Sequence, residues 1–182
     1  MKIFRKVGEW FANFLAKRGI CASPFLLKGK WVMEVMRAGV VIATMAFPNG
    51  ITDVGLNHIL ETEFHSGTPV TTWYIGIVDN ASFSAFANGD TMASHAGWIE
   101  STAYSESVRQ TWGAGTASAR SITNASAATF SINGSATLKG IFVTSNSTKS
   151  GTTGTLWSTA AFATTVAVIN GDSVKVTYTV SG

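Results

Sequence analysis

Three histidines, His58, His65 and His95, are the first residues whose chemistry invites a site, because imidazoles can meet around a metal ion. Their spacing argues against it. His58 and His65 stand seven apart and share a helix face only if a helix runs past Gly67, and no H-E-x-x-H pattern sets two ligands and a base one turn apart. The single Cys21 supplies neither a disulfide nor a sulfur-ligated centre, each of which needs several sulfurs. Hydrogen-bonded structural histidines and no metal are expected. Ser94 precedes His95 in the polar run DTMASHAGW, but sequence neighbours seldom present a nucleophile and its base to one another, and no G-x-S-x-G elbow accompanies them.

Asp79, Asp90, Glu100 and Glu106 could in pairs do glycosidase acid–base chemistry across a groove. In a chain with only 10 Asp and Glu, the economical reading ties Glu100 or Glu106 to Arg109 in a structural ion pair. Gly113-Ala114-Gly115 and Gly151-Thr152-Thr153-Gly154 match no phosphate loop, lacking a following G-K-[ST] and helix, and read as turns. Trp73, Tyr74, Trp98, Tyr104, Trp112 and Trp157 could build a platform that stacks on sugars or bases, although strands with alternating faces put most such rings in a core or an interface. No catalytic residue, metal ligand or cofactor-binding residue is expected from these patterns, and no cofactor.

The elements that carry these residues fall into unlike parts. With 182 residues, the chain suits one domain with an appendage. Its 13% charged residues are about half the roughly 25% of an ordinary soluble protein. Its 11 Phe and 6 Trp give it material for a core, which argues against disorder. No run reaches the ~18 apolar residues of a membrane span. The net charge of +3 is uneven, with +6 in residues 1–50 and −3 in the remainder. A mildly acidic body with its basic residues at one end predicts no nucleic-acid partner.

Residues 1–30 read as an amphipathic helical arm and linker. Ile3, Phe4, Val7, Trp10, Phe11, Phe14 and Leu15 fall on one helical stripe, opposite Lys2, Arg5, Lys6, Glu9, Asn13 and Lys17. Glu9 and Asn13 interrupt the apolar run that a signal peptide needs. Packing on the chain's own sheet and binding at a lipid interface both stay open. The leading reading makes these seven apolar residues a docking stripe for another protein subunit. Residues 31–67 read as a β-hairpin, 31–36 and 40–47 about Ala38-Gly39, followed by a short helix near 52–64 capped by Thr52 or Asp53.

From residue 68 onward the pattern turns to period two, with Ser and Thr at alternate positions. Strands are predicted at 70–78, 98–104, 107–112, 118–123, 127–133, 136–145, 154–158, 165–169 and 173–180, punctuated by turns such as Asn133-Gly134 and Asn170-Gly171-Asp172. Many short strands without long helices between them predict a mainly β fold whose body, 68–182, is an antiparallel β-sandwich or jelly roll.

The succession GITDVGLNHIL, TTWYIGIVDN, GDTMASHAGWIESTAYSESVRQTW, SITNASAATFSI, KGIFVTSNS and GDSVKVTYTVSG resembles a family of small virion structural proteins encoded by tailed bacteriophages and prophages. The likeness spans about residues 35–182 and leaves the arm outside. It implies a non-enzymatic particle component, located in the virion after assembly in the host cytoplasm, and it carries over no functional residue. Together with the low charge and the arm, it makes a capsid decoration (cement) protein the leading expectation. Such a protein binds the major capsid protein or other virion subunits and stabilises the assembled shell by preferring it to loose subunits. It would itself be a homo-oligomer, a trimer among the options. A tail, neck or fibre component is the structural alternative, and a carbohydrate-binding module or sandwich glycosidase is the alternative of another class.

Overall fold

The apolar runs flanking Ala38-Gly39 form the expected hairpin, β1 (Lys28–Arg37) and β2 (Val40–Pro48). The structure, a computed structural model, describes residues 26–182. The arm helix expected within residues 1–20 lies outside them, as do all seven docking candidates from Ile3 to Leu15. After the hairpin come β3 (Gly50–Ile51), α1 (Asp53–Phe64), β4 (Tyr74–Asp79), β5 (Ile99–Glu100) and β6 (Gln110–Thr111). The chain continues through β7 (Ser121–Thr123), β8 (Ala128–Ser131), β9 (Ala136–Thr144), β10 (Leu156–Val168) and β11 (Ser173–Ser181).

These strands make two antiparallel sheets, as the period-two pattern predicts. One runs β2-β1-β11-β7, with β8 also on β11; the other runs β3-β10-β9-β4-β5, with β6 also on β4. Alternation decides which side chains face the gap between them. Trp31, Met33 and Val35 of β1 and Val174, Val176 and Tyr178 of β11 meet Ile75, Ile77, Ile141 and Val143 from the second sheet in the main core. Tyr178 is its hub. Its ring stacks on Trp31 at 4.0 Å, and its hydroxyl accepts from Trp157 Nε1 at 2.9 Å and from Asn49 Nδ2 at 2.8 Å. Where β7 gives way to β8 along β11, the Asn124 side chain stands in for a strand, accepting from Tyr178 N at 2.7 Å and donating to Val176 O at 3.3 Å.

A second, smaller cluster lies on the far side of β9. Phe142 points there with Val78, Met92, Trp98 and Leu156, beneath the long connection between β4 and β5. Gly76 on β4 makes room for the Phe142 ring, since a Cβ at that position would lie 2.2 Å from it. Because β9 is covered on both faces, its run ATLKGIFVT lacks the polar alternation of a surface strand.

The expected hairpin segment, 31–67, is not set apart from the 68–182 body. β1 pairs with β11 over nine residues, from Lys28↔Ser181 to Met36↔Ser173, so the hairpin completes the first sheet and its apolar face enters the main core. Several strand boundaries also differ. The runs 154–158 and 165–169 are one strand, β10, because the chain bulges between Ala161 and Val166 and keeps pairing with β9 on both sides. The runs 98–104 and 107–112 shrink to two-residue pairings on β4, since side chains rather than ladders hold most of that segment.

Candidate interaction surface

The residues with chemical potential are tied into the structure. Arg109 Nε and Nη2 donate to the two Glu100 carboxylate oxygens at 3.0 and 2.8 Å, while its Nη1 and Nη2 donate to the carbonyls of Asn146 and Gly151. Ser150 N adds a third donor to Glu100 at 2.7 Å, and the paired side chains are 0% and 5% exposed. This is the ion pair the sequence suggested, with Glu100 as the partner. Glu106 instead accepts from Ser131 N. Lys149, to which nothing in the sequence drew attention, donates to the carbonyls of Tyr104 and Glu106 and lies 3.8 Å from the centre of the Tyr104 ring. Burial first, and then the nearby Glu100 charge, push the Tyr104 hydroxyl pKa well above its ordinary value.

Asp90 accepts from Trp98 Nε1 and Ala87 N, both at 2.9 Å, and Asp79 accepts from Ala81 N two residues on. His95 stacks on Trp98 at 3.9 Å with Nδ1 facing the Trp98 carbonyl, while Ser94 N donates back to Thr91. His58 meets Trp73 edge-on at 5.6 Å, and His65 caps α1 beside Glu61. Among the described residues, no group of three or more His, Cys, Asp or Glu side chains is placed to hold a metal ion. Of the six rings considered for a stacking platform, Trp98, Tyr104, Trp112 and Trp157 are buried, and Trp73 and Tyr74 are partly buried.

A further ion pair carries no local sequence mark. Arg37, at the hairpin tip, makes a two-pronged contact with Asp172 at 2.8 Å on each prong. That hydrogen-bonded guanidinium holds the Asp172 carboxyl below its ordinary range, and the Asp172 side chain also receives Ile169 N. The turn residues Asn170-Gly171-Asp172 marked the place, but nothing in the sequence marked a partner 135 positions away.

The outer surface shows the reverse arrangement, with apolar residues exposed. Thr52 starts α1 by accepting from Gly55 N. Gly55 then lets the helix press on β10, because a Cβ there would stand 2.5 Å from the Trp157 carbonyl oxygen. Val54 and Ile59 pack toward the two cores. Leu56, Leu60 and Phe64 recur every fourth residue on the other side and are 43%, 57% and 82% exposed. The apolar residues of α1 thus occupy two faces, and only the one bearing Val54 and Ile59 is inward. On the hairpin, Val40, Val41 and Ile42 of β2 are 64%, 45% and 48% exposed. A largely apolar groove of about 290 Å³ lies between α1 and the sandwich, lined by Leu27, Ile59, Trp73, Trp112, Trp157 and Val180 among others.

No helix among the described residues is long and apolar enough to cross a membrane. No protein-family model matches the chain, and no curated protein matches it.

Proposed function

We propose that the protein is a structural component of a tailed-phage virion, a capsid decoration protein that binds the assembled shell and stabilises it. The observation that carries this reading is the exposed Leu56–Leu60–Phe64 stripe on α1. An apolar helix face with Asp53, Glu61 and Glu63 around it has the anatomy of a docking surface, an apolar centre within a polar rim. The sequence resemblance supplies the particle, and Asp79, Asp90, Glu100 and Glu106, each bound up in internal contacts, fit a molecule that works by association. The basic, apolar segment at residues 2–18 belongs to the same reading as a second anchor on the neighbouring subunit. Binding the assembled lattice in preference to free subunits stabilises the shell by mass action, without any chemical step.

The test is to locate the chain in purified virions carrying a tagged copy and to count it. Hundreds of copies in a regular array on the shell are expected. A few copies confined to the tail, neck or fibres would replace this reading with its structural alternative. Glycan binding by the purified protein, with no stoichiometric place in the particle, would overturn both.

A further inference from the structure

Each sheet of a sandwich ends in two edges whose outward N–H and C=O groups can template another strand, and proteins blunt such edges by shortening, bulging, charging or covering them. Three of the edges here are blunted. On the first sheet, the side bearing β7 and β8 is cut into strands of three and four residues. On the second, β5 and β6 are two residues each, and β10 carries the bulge between Ala161 and Val166 and is capped in part by the two-residue β3. The fourth edge, β2, differs in its length and its lack of charge. It runs nine residues, VVIATMAFP, without a charged side chain and with its only proline at the last position. It carries one extra residue, Ile42, opposite the step from Val35 to Met36 on β1, and among the described residues its sole strand partner is β1.

We propose that β2 is a dimerisation edge, pairing antiparallel with β2 of a second copy so that the two first sheets become one continuous sheet across a two-fold axis. The occupant follows from the chemistry of the strand. A row of backbone donors and acceptors is matched residue for residue only by another strand, and a two-fold axis presents the same surface to itself. Because β2 bears no charge, self-pairing sets Val, Ile, Ala, Thr and Met against one another with no like charges opposed. The exposed Val40, Val41 and Ile42 would lose their water contact in the same step. The edge is also held ready. Arg37 and Asp172 clamp the hairpin tip to the turn between β10 and β11, and Phe47 packs edge-on against Phe162 at 5.0 Å near the other end. Left open, an uncharged strand of high β-propensity would be a site of open-ended aggregation, which closure by one partner prevents. The inference concerns a different surface from the α1 stripe and does not depend on the virion reading.

Sedimentation velocity of the full-length protein tests it, together with hydrogen exchange followed by mass spectrometry over residues 40–48. The expected particle is twice the 19.2 kDa chain mass, with β2 amides that are protected at high concentration and exchange faster on dilution. Thr44→Lys is the discriminating variant. Thr44 is exposed and stands across from Glu34 on β1, so a lysine gains a cross-strand partner within its own chain while charging the edge. It should keep the wild-type melting temperature and weaken dimerisation at least ~10-fold, and Ile42→Lys should do the same. A wild-type monomer overturns the proposal, including one whose β2 amides are protected, since another segment would then cover the strand. A dimer that both lysine variants leave intact, or a trimer, also overturns it.

Discussion

The loop-covered end around Arg109 and the outer surface formed by β2 and α1 distribute polarity in opposite ways. At the first, a guanidinium and a carboxylate are almost wholly withdrawn from water and satisfied by five hydrogen bonds to one another and to backbone. At the second, six large apolar side chains between Val40 and Phe64 face solvent. Buried charge is retained where segments with little ladder pairing must be fixed. Between β4 and β9, the chain forms only two-residue to four-residue strands, so side-chain bonds do there what backbone ladders do between β1 and β11. The exposed apolar side chains stand outside both cores and add little to holding this fold.

Breaking the ion pair should give the largest effect on stability. Arg109→Met leaves Glu100 buried without its counter-charge and orphans two carbonyls, and should cost about 3–5 kcal/mol in chemical denaturation. Replacing both partners, Arg109→Met with Glu100→Leu, should recover much of that loss, because the unpaired charge is gone. A single-variant cost below ~1 kcal/mol would mean that backbone contacts alone fix the segment.

The ladder-built region is probed by pH. Burial raises the Tyr178 hydroxyl pKa from 10.0 to about 12, against the opposing effect of its hydrogen bonds from Trp157 and Asn49. With the folded-state value above the unfolded one, the native state holds its proton after the unfolded state has lost it. This stabilising contribution is present below pH 10.0 and is lost as pH climbs toward about 12, a decline on the order of 2–3 kcal/mol. Tyr178→Phe should be less stable at neutral pH, since Trp157 Nε1 and Asn49 lose their acceptor, and its stability should fall less steeply over that alkaline window. An unchanged alkaline slope would show that other groups, such as Tyr104, carry it.

Much of this architecture was legible in the sequence, and the reasons for the rest are physical. The hairpin, α1 and β11 announce themselves because each is long and periodic, and β9 because it is a long, largely apolar run. Val174, Val176, Tyr178 and Val180 alternate without a break, and all four are buried. The merging of 154–158 with 165–169 was hidden because the bulge at Ala161–Val166 shifts the inward face midway, so no single period fits STAAFATT. The hairpin's place in the sandwich depends on pairing Lys28–Met36 with a strand near the C-terminus, and long-range pairing leaves no local mark. Among the candidate residues, Arg109 and Glu100 could be paired by scarcity of charge, whereas Lys149 and the Arg37–Asp172 clamp depend on approaches that only the fold creates. Exposure of Leu60 and Phe64 was also invisible, because an apolar residue at helical spacing looks the same whether its face is covered by its own chain or by a partner.

The central claim is that the apolar stripe of α1 serves attachment and not folding, and the double variant Leu60→Gln with Phe64→Gln tests it most directly. Its unfolding free energy and its retention on purified assembled shells would be measured side by side with the wild type. The stripe is exposed and glutamine is a good helix former, so stability should stay within about 0.5 kcal/mol while shell retention falls sharply. Retention at the wild-type level, or a stability loss above ~1 kcal/mol, would contradict the account.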